Sequence, residues 1–217
     1  MTLLAGCSKD MAAPDNFGIT ENGGLYGHSD YTAIVTVKKS PTDTVFFQVD
    51  DTTRIFPRNA QNIYTRVERI ICGVSIYNKR VPGYGWLGDV LWAEALDEGM
   101  VTADATVKGD DGLDIIFDWM TGCEDGFLTL HYSTMWGARP VRHRFYIVTG
   151  ANGDNPYEVE LRQDSAGDSK DDEGDSVVYF DINTLPDTGD EYKTLTLKWK
   201  SSSGQTAEHE FKYKTRK

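Results

Sequence analysis

Short stretches in which hydrophobic and polar residues alternate recur along most of this sequence. In residues 67–77, the side chains of Ile70, Cys72, Val74 and Ile76 fall on one face of the chain. Such alternation is typical of a strand with one buried face. Similar runs, rich in β-branched and aromatic residues and bounded by turn residues, predict four more strands in the first half. These strands are predicted at residues 31–37, 44–49, 52–56 and 90–96.

The number and spacing of the predicted strands indicate two all-β domains. Five strands in the first half suit a small closed barrel, so we predict an OB-like β-barrel domain over residues 30–98. A lone immunoglobulin-like sheet is the alternative there, because periodicity does not fix topology. Seven predicted strands joined by Gly, Asp and Asn turns indicate a β-sandwich domain over residues 99–217. Those strands are predicted at residues 113–119, 127–136, 141–149, 157–163, 176–182, 194–200 and 208–214.

The first residues have the form of a bacterial lipoprotein signal. Leu4-Ala5-Gly6-Cys7 places an apolar residue and two small ones before a cysteine, whose thiol would carry the lipid. An export signal needs a longer apolar region than the residues before Cys7 supply, so we expect that the signal is truncated. Residues 1–29 are then a truncated lipoprotein signal followed by a flexible tether, of which residues 17–26 can pack against the first domain.

Charge and hydropathy exclude two classes of function. The formal net charge is −12 and the isoelectric point is about 4.7. A nucleic-acid partner is not expected, because binding phosphates requires a basic surface. No stretch approaches the ~20 apolar residues of a membrane-spanning helix. The membrane contact that we expect is therefore the lipid anchor at Cys7.

No arrangement of residues predicts an active site, a metal centre or a cofactor site. The segment Gly73-Val74-Ser75-Ile76-Tyr77 lacks the final glycine of a nucleophile elbow, and no phosphate-binding loop occurs. His143 alternates with Phe145 and Ile147, which predicts a hydrogen-bonded core or interface residue. We therefore predict a protein that is not an enzyme and has no catalytic residues, metal or cofactor. The four histidines lack metal-ligand spacing; they are His28, His131, His143 and His209.

Two further features have a structural and a functional interpretation. Cys72 is predicted to be a buried thiol, and a bridge to Cys123 is disfavoured because the two residues fall in different predicted domains. The acidic segment 164–175 does not follow the order of ligands in a calcium loop. We predict that it is a solvated hairpin loop.

The segment Val81-Pro82-Gly83-Tyr84-Gly85-Trp86-Leu87 is the candidate binding loop. Barrel domains of this kind often bind through such loops. Tyr84 and Trp86 would stack on a sugar or anchor a protein partner. The structural alternative is that both rings fold back over the barrel or into the domain interface.

Several short motifs resemble the NigD-like lipoproteins of Bacteroidota. In the first domain they are Phe46-Phe47-Gln48-Val49-Asp50-Asp51 and Ile55-Phe56-Pro57. In the second domain they are Gly126-Phe127-Leu128-Thr129-Leu130, His143-Arg144-Phe145-Tyr146-Ile147-Val148 and Val177-Val178-Tyr179-Phe180-Asp181. The resemblance covers nearly the whole chain after the tether.

The resemblance implies an exported, lipid-anchored protein and, through the family's association with a bacteriocin, a role in immunity. We therefore predict a non-catalytic binding module of the cell envelope, on the outer membrane and facing the periplasm or the cell surface. Its partner would be a protein or peptide, such as a bacteriocin. An accessory or structural subunit of an outer-membrane complex is the alternative, and glycan capture by Tyr84 and Trp86 is another.

Overall fold

The computed structural model of the chain describes residues 19–23, 29–60, 69–81, 85–139, 141–151 and 153–216. Every regular element within these residues is a β-strand, so the all-β prediction is confirmed. No helix in the described ranges is long and apolar enough to cross a membrane.

The first six strands build a closed barrel with one additional strand. They are β1 (Ile19–Gly23), β2 (Ser29–Lys39), β3 (Val45–Gln48), β4 (Arg54–Pro57), β5 (Arg69–Val81) and β6 (Gly85–Ala95). The sheet closes in the order β2-β3-β4-β6-β5-β2, with β4 and β6 parallel. This order of five strands is that of an OB-like barrel, as predicted. The additional strand, β1, lies within the predicted tether and pairs with β2.

Alternation in the long strands explains the core of the barrel. Ile70, Cys72, Val74 and Ile76 of β5 are all buried, as the pattern of the sequence predicts. They pack with apolar residues from β2, β3 and β4, among them Phe47, whose side chain is completely buried. Because a strand exposes alternate residues to opposite sides, closing the sheet encloses one apolar face of every strand.

The remaining ten strands form a sandwich of two five-stranded sheets. They are β7 (Asp97–Glu98), β8 (Met100–Thr102), β9 (Asp114–Ile115), β10 (Gly122–Glu124), β11 (Phe127–Trp136), β12 (Arg144–Val148), β13 (Glu158–Asp164), β14 (Asp172–Asp181), β15 (Lys193–Lys200) and β16 (Thr206–Tyr213). One sheet has the order β10-β11-β14-β7, with β9 also on β11. The other has the order β16-β15-β13-β12-β8. A single apolar core lies between them.

The prediction of a strand over residues 113–119 is wrong for most of that segment. Only Asp114 and Ile115 pair, with β11. The chain then turns, because the Asp118 carboxylate accepts a hydrogen bond from the Met120 amide at 2.9 Å and the Asp118 carbonyl accepts one from the Thr121 amide. An aspartate that bonds the amide two residues ahead favours a turn over a strand.

Charged and aromatic side chains hold the barrel against the sandwich. Lys38 of β2 bonds Asp125, at the turn between β10 and β11, with 2.6 Å between Nζ and Oδ1. Arg69 of β5 is fully buried, and its guanidinium carbon lies 5.3 Å from the ring centre of Phe127. Burial lowers the pKa of Arg69 to about 10, so it remains a cation at neutral pH. The division into domains at residues 98 and 99 stays a prediction.

Candidate functional site

A groove opens along one edge of the sandwich, where the chain leaves the barrel. The short strands β7 and β8 run parallel to β14 and β12 and cover only part of the edge of each sheet. We call the surface that remains the sandwich-edge groove. It has a volume of about 580 Å³ and is lined by Asp97, Glu98, Met100, Val141, Arg142, His143, Arg144, Phe145, Tyr146, Ala166 and Val178.

Two apolar side chains of the groove are exposed to solvent. Met100 is 56% exposed and Val141 is 44% exposed. A single exposed apolar residue is common on protein surfaces. Two of them in one concave surface, next to the buried rings of Phe145 and Tyr146, form an apolar patch of the kind that binds another molecule.

Charged residues of both signs border the groove. Asp97 and Arg142 form an ion pair across it, with 2.9 Å between Oδ1 and Nη2, and both side chains are mostly exposed. Glu98 lies beside Asp97 on β7, while Arg144 begins β12 on the opposite side. Because an exposed ion pair contributes at most about 1 kcal/mol, a ligand can replace the Asp97–Arg142 contact at little cost.

An aromatic cavity adjoins the groove. A smaller cavity of about 200 Å³ shares Asp97, Val141, Arg142, His143 and Phe145 with the groove and adds Tyr132 and Trp136. The rings of Tyr132 and Phe145 are 4.7 Å apart, and those of Trp136 and His143 stack at 4.2 Å. We call these four residues the aromatic pocket. Burial raises the pKa of Tyr132, so its hydroxyl stays neutral.

His143 is fixed in the aromatic pocket by hydrogen bonds on both ring nitrogens. Its Nε2 lies 3.2 Å from Asp168 Oδ2, and its Nδ1 lies 2.8 Å from the side-chain amide of Gln163. The Asp168 carboxylate also accepts bonds from the amides of Gly137 and Val141. These donors, the Gly137 amide above all, lower the pKa of Asp168.

Neither ring nitrogen of His143 is free to accept a proton from a substrate. A general base needs a nitrogen directed at its substrate. Both nitrogens of His143 are instead occupied by Asp168 and Gln163, as expected of the hydrogen-bonded core residue that the sequence predicts. In the described part of the chain, no group of three or more His, Cys, Asp and Glu residues is placed to hold a metal ion.

The acidic segment 164–175 differs from the solvated hairpin that its composition suggests. It joins β13 of one sheet to β14 of the other, so it is a connection between sheets. The Asp168 side chain is only 2% exposed because it bonds His143 and two backbone amides. Asp171 accepts a further bond from the Ala138 amide. These aspartates bond the segment between β11 and β12, which borders the groove.

The structure describes only Trp86 of the three candidate site residues Cys7, Tyr84 and Trp86. Cys7 and Tyr84 lie outside the described residues. Trp86 is half-buried on the barrel, where its ring lies 5.4 Å from that of Tyr31. The two described cysteines, Cys72 and Cys123, are both free. The lipid attachment and the binding role of Tyr84 and Trp86 stay predictions.

His131, by contrast, has a defined place outside the groove. It bonds Asp118 through Nδ1 at 2.9 Å and Asp175 through Nε2 at 3.0 Å. The two carboxylates lie on different elements, the turn after β9 and strand β14. His131 therefore ties these elements together across β11.

Solved structures from species of Parabacteroides and Bacteroides share this fold. A protein from Parabacteroides distasonis described as toxin-related superposes with a TM-score of 0.69 and 20% identity, covering 85% of this chain and 93% of that one. A NigD-like immunity protein from Bacteroides caccae gives 0.57 and 14%, covering 82% and 91%. A protein from Bacteroides fragilis described as a lipoprotein gives 0.56 and 13%, covering 87% and 100%. At these identities the likeness establishes the fold alone.

The family is established by sequence. No curated protein matches the chain. The model of the NigD-like C-terminal beta sandwich domain matches residues 96–213, which is more than half of the chain and includes every strand of the sandwich from β7 to β16. This agrees with the resemblance seen in the sequence motifs. The chain therefore belongs to the NigD-like family.

Proposed function

We propose that this chain is a lipid-anchored envelope protein that binds a protein or peptide partner in the sandwich-edge groove, without catalysis and without a metal or cofactor. The observation that carries the proposal is the exposed pair Met100 and Val141 beside the aromatic pocket. A partner that covers these side chains would bury apolar surface, which is the main driving force of most protein association.

Bacteriocin immunity is the specific role that we propose for this binding. One structure with the same fold is described as a NigD-like immunity protein and another as a lipoprotein. A protein held on the outer membrane at Cys7 would engage a toxin, or the receptor of that toxin, before the membrane is damaged. A lipid anchor concentrates the binding groove at the surface where the toxin acts.

The groove is tested by cross-linked capture from intact cells with matched variants. We expect Met100→Asp to lower recovery of the partner by about tenfold, because a charge at the centre of an apolar contact is costly. Leu91→Asp is the control, since Leu91 is 58% exposed but lies on the barrel. Equal recovery with both variants would contradict binding in the groove.

The anchor and the immunity role are tested in a deletion strain. Loss of the gene should sensitise cells to the cognate bacteriocin, and the wild-type chain should restore resistance. A Cys7→Ala chain should fail to restore it, because the unanchored protein is no longer concentrated at the membrane. Full rescue by Cys7→Ala would count against the anchored mechanism.

An accessory subunit of an outer-membrane complex is the second candidate. It is favoured by Leu91 and Trp92, which are 58% and 45% exposed on β6 and provide a second apolar surface on the barrel. Capture of a constant set of envelope proteins, lost with Leu91→Asp and kept with Met100→Asp, would support the subunit role.

A further inference from the structure

We propose that the partner binds as an extended, cationic segment that adds a strand to the free edge of β14 and places an apolar side chain in the aromatic pocket. The inference rests on the proposed binding function of the groove and names the kind of partner and the way it binds. Three features of the structure support it: the free edge, the position of the pocket beside it and the charge around it.

One edge of β14 is free over most of its length. All ten residues of β14 pair with β11 on one side. On the other side, the pairings of the described residues involve only Val178 and Tyr179, with β7. In the described residues no strand pairs with residues 172–177 on that side. A free edge of this kind is a template for another strand, and recognition by strand addition uses such edges.

The direction of the backbone groups identifies which residues would bond the added strand. The Gly99 amide donates to the Tyr179 carbonyl at 2.8 Å, so the backbone groups of Tyr179 point to the β7 side. Alternate residues of a strand point to the same side. The amides and carbonyls of Glu173, Asp175 and Val177 therefore point to the free edge, whereas their neighbours bond β11.

The aromatic pocket lies beside this free edge. Tyr132 and Trp136 belong to β11 and pair with Ser176 and Asp172 of β14. Asp97 also lines the pocket, and it pairs with Val178 at the point where the free edge begins. Side chains on an added strand alternate between its two faces. One such side chain would point between the sheets and into the pocket.

Charge selects a cationic segment. Asp172 and Glu173 are exposed along the free edge, and Asp97 and Glu98 follow on β7. Asp175 is also exposed, but its carboxylate bonds His131 of β11 on the other side of the strand. Arg142 and Arg144 stand on the opposite side of the groove, where Arg142 pairs with Asp97 and Arg144 lies 3.6 Å from Asp164.

Repulsion between carboxylates also keeps a second copy of this acidic chain from adding its own strand to the edge. A basic segment is attracted by these carboxylates, so its association is favoured. Salt screens the attraction, so the binding weakens as the salt concentration rises.

The test starts from a displayed library of random dodecapeptides selected on the full chain. We expect the enriched peptides to combine Lys or Arg with an aromatic or aliphatic residue. Val177→Pro removes one amide at the free edge and leaves the β11 ladder intact. It should weaken binding of a selected peptide about fivefold to tenfold, while Val177→Ala keeps the amide and the affinity.

A second measurement does not depend on the fold of a variant. Methylating alternate backbone nitrogens of the selected peptide blocks the bonds to the edge, and should also weaken binding about tenfold. Glu173→Lys should also weaken binding of the selected peptide at low salt, because it replaces an attracting charge by a repelling one. Binding that is insensitive to both Val177→Pro and backbone methylation would overturn strand addition. A selection without basic peptides would overturn the cationic character of the partner. The proposed function fails separately, if Met100→Asp leaves capture from cells unchanged.

Discussion

At the scale of single residues, Gly99 sets the position of the edge strands. It joins β7 to β8, and a Cβ atom at this position would overlap the ring of Phe180, which is fully buried in the sandwich core. Gly99→Ala should therefore lower the free energy of unfolding by about 1–3 kcal/mol, as overpacking of a core does. Chemical denaturation followed by tryptophan fluorescence measures this loss.

The control for Gly99→Ala is Gly153→Ala. A Cβ atom at Gly153 meets no other atom within 4 Å, and its backbone is not in the left-handed region. We expect a change within about 0.5 kcal/mol for this surface position. If both variants lost the same stability, the contact with Phe180 would not be the reason that glycine occupies position 99.

At the scale of elements, Asp168 holds the connection between β11 and β12. Its carboxylate accepts the amides of Gly137 at 3.1 Å and Val141 at 3.3 Å, as well as the ring of His143. Asp168→Ala should speed hydrogen exchange at the Gly137 and Val141 amides about tenfold or more, because local opening governs their exchange. It should also weaken partner capture, since Val141 borders the sandwich-edge groove.

Asp171→Ala is the matched control in the same segment. Asp171 accepts the Ala138 amide at 2.8 Å and the Ser169 hydroxyl, and its side chain is exposed. Faster exchange should then be confined to Ala138. If instead Asp171→Ala loosened Gly137 and Val141 as much as Asp168→Ala does, the segment would be held by the acidic connection as a whole.

The sequence predicts long strands well and short ones poorly. Residues 127–136 are predicted and observed as β11 without a change of bounds, because alternation over ten residues is a strong signal. β7 and β8 have two and three residues, which are too few to show an alternating pattern. They pair with β14 and β12, which are distant in sequence. The sequence predicts a solvated loop for the acidic segment 164–175, because His143, which bonds Asp168, is remote in sequence.

The candidate site escapes prediction for a related reason. Tyr132, Trp136 and Phe145 have the alternation of core residues, and the sequence does not indicate that the sandwich remains open beside them. Met100 precedes the predicted strands of the sandwich domain, so nothing in its pattern marks it as part of a binding surface. The aromatic loop at Tyr84 and Trp86 is conspicuous in the sequence because glycines flank the rings. The structure places Trp86 against Tyr31.

At the scale of the whole molecule, carboxylates gather where the barrel meets the sandwich. Glu124 of β10 has a pKa raised to about 7, firstly by burial and then by the negative charges of Asp51 and Asp50 from the barrel. Arg69 acts in the opposite direction but does not cancel these effects. Among the described residues, the Glu124 carboxylate has no hydrogen-bond partner. Ionising Glu124 therefore costs the folded protein more than the unfolded chain.

This cost makes the stability of the protein depend on pH. Below the ordinary pKa of about 4.5, Glu124 is protonated in both states and has no effect. As the pH rises from there to about 7, Glu124 ionises in the unfolded chain but not yet in the folded protein, so the free energy of unfolding falls. Above pH 7 the contribution of Glu124 to stability no longer changes with pH. The shift sets an upper limit of about 3 kcal/mol, and partial exposure of the side chain reduces this to about 1–2 kcal/mol.

Glu124→Gln removes the charge and should stabilise the protein by about 1–2 kcal/mol at pH 8, with no gain at pH 4. Urea denaturation at a series of pH values measures the difference between the variant and the wild type. Glu208→Gln is the control, because Glu208 is exposed on β16 and should change stability by less than about 0.5 kcal/mol at every pH. A variant Glu124→Gln that is less stable than the wild type at pH 8 would show that Glu124 and Arg69 act as an ion pair. The charges between the domains would then strengthen their contact at neutral pH instead of weakening it.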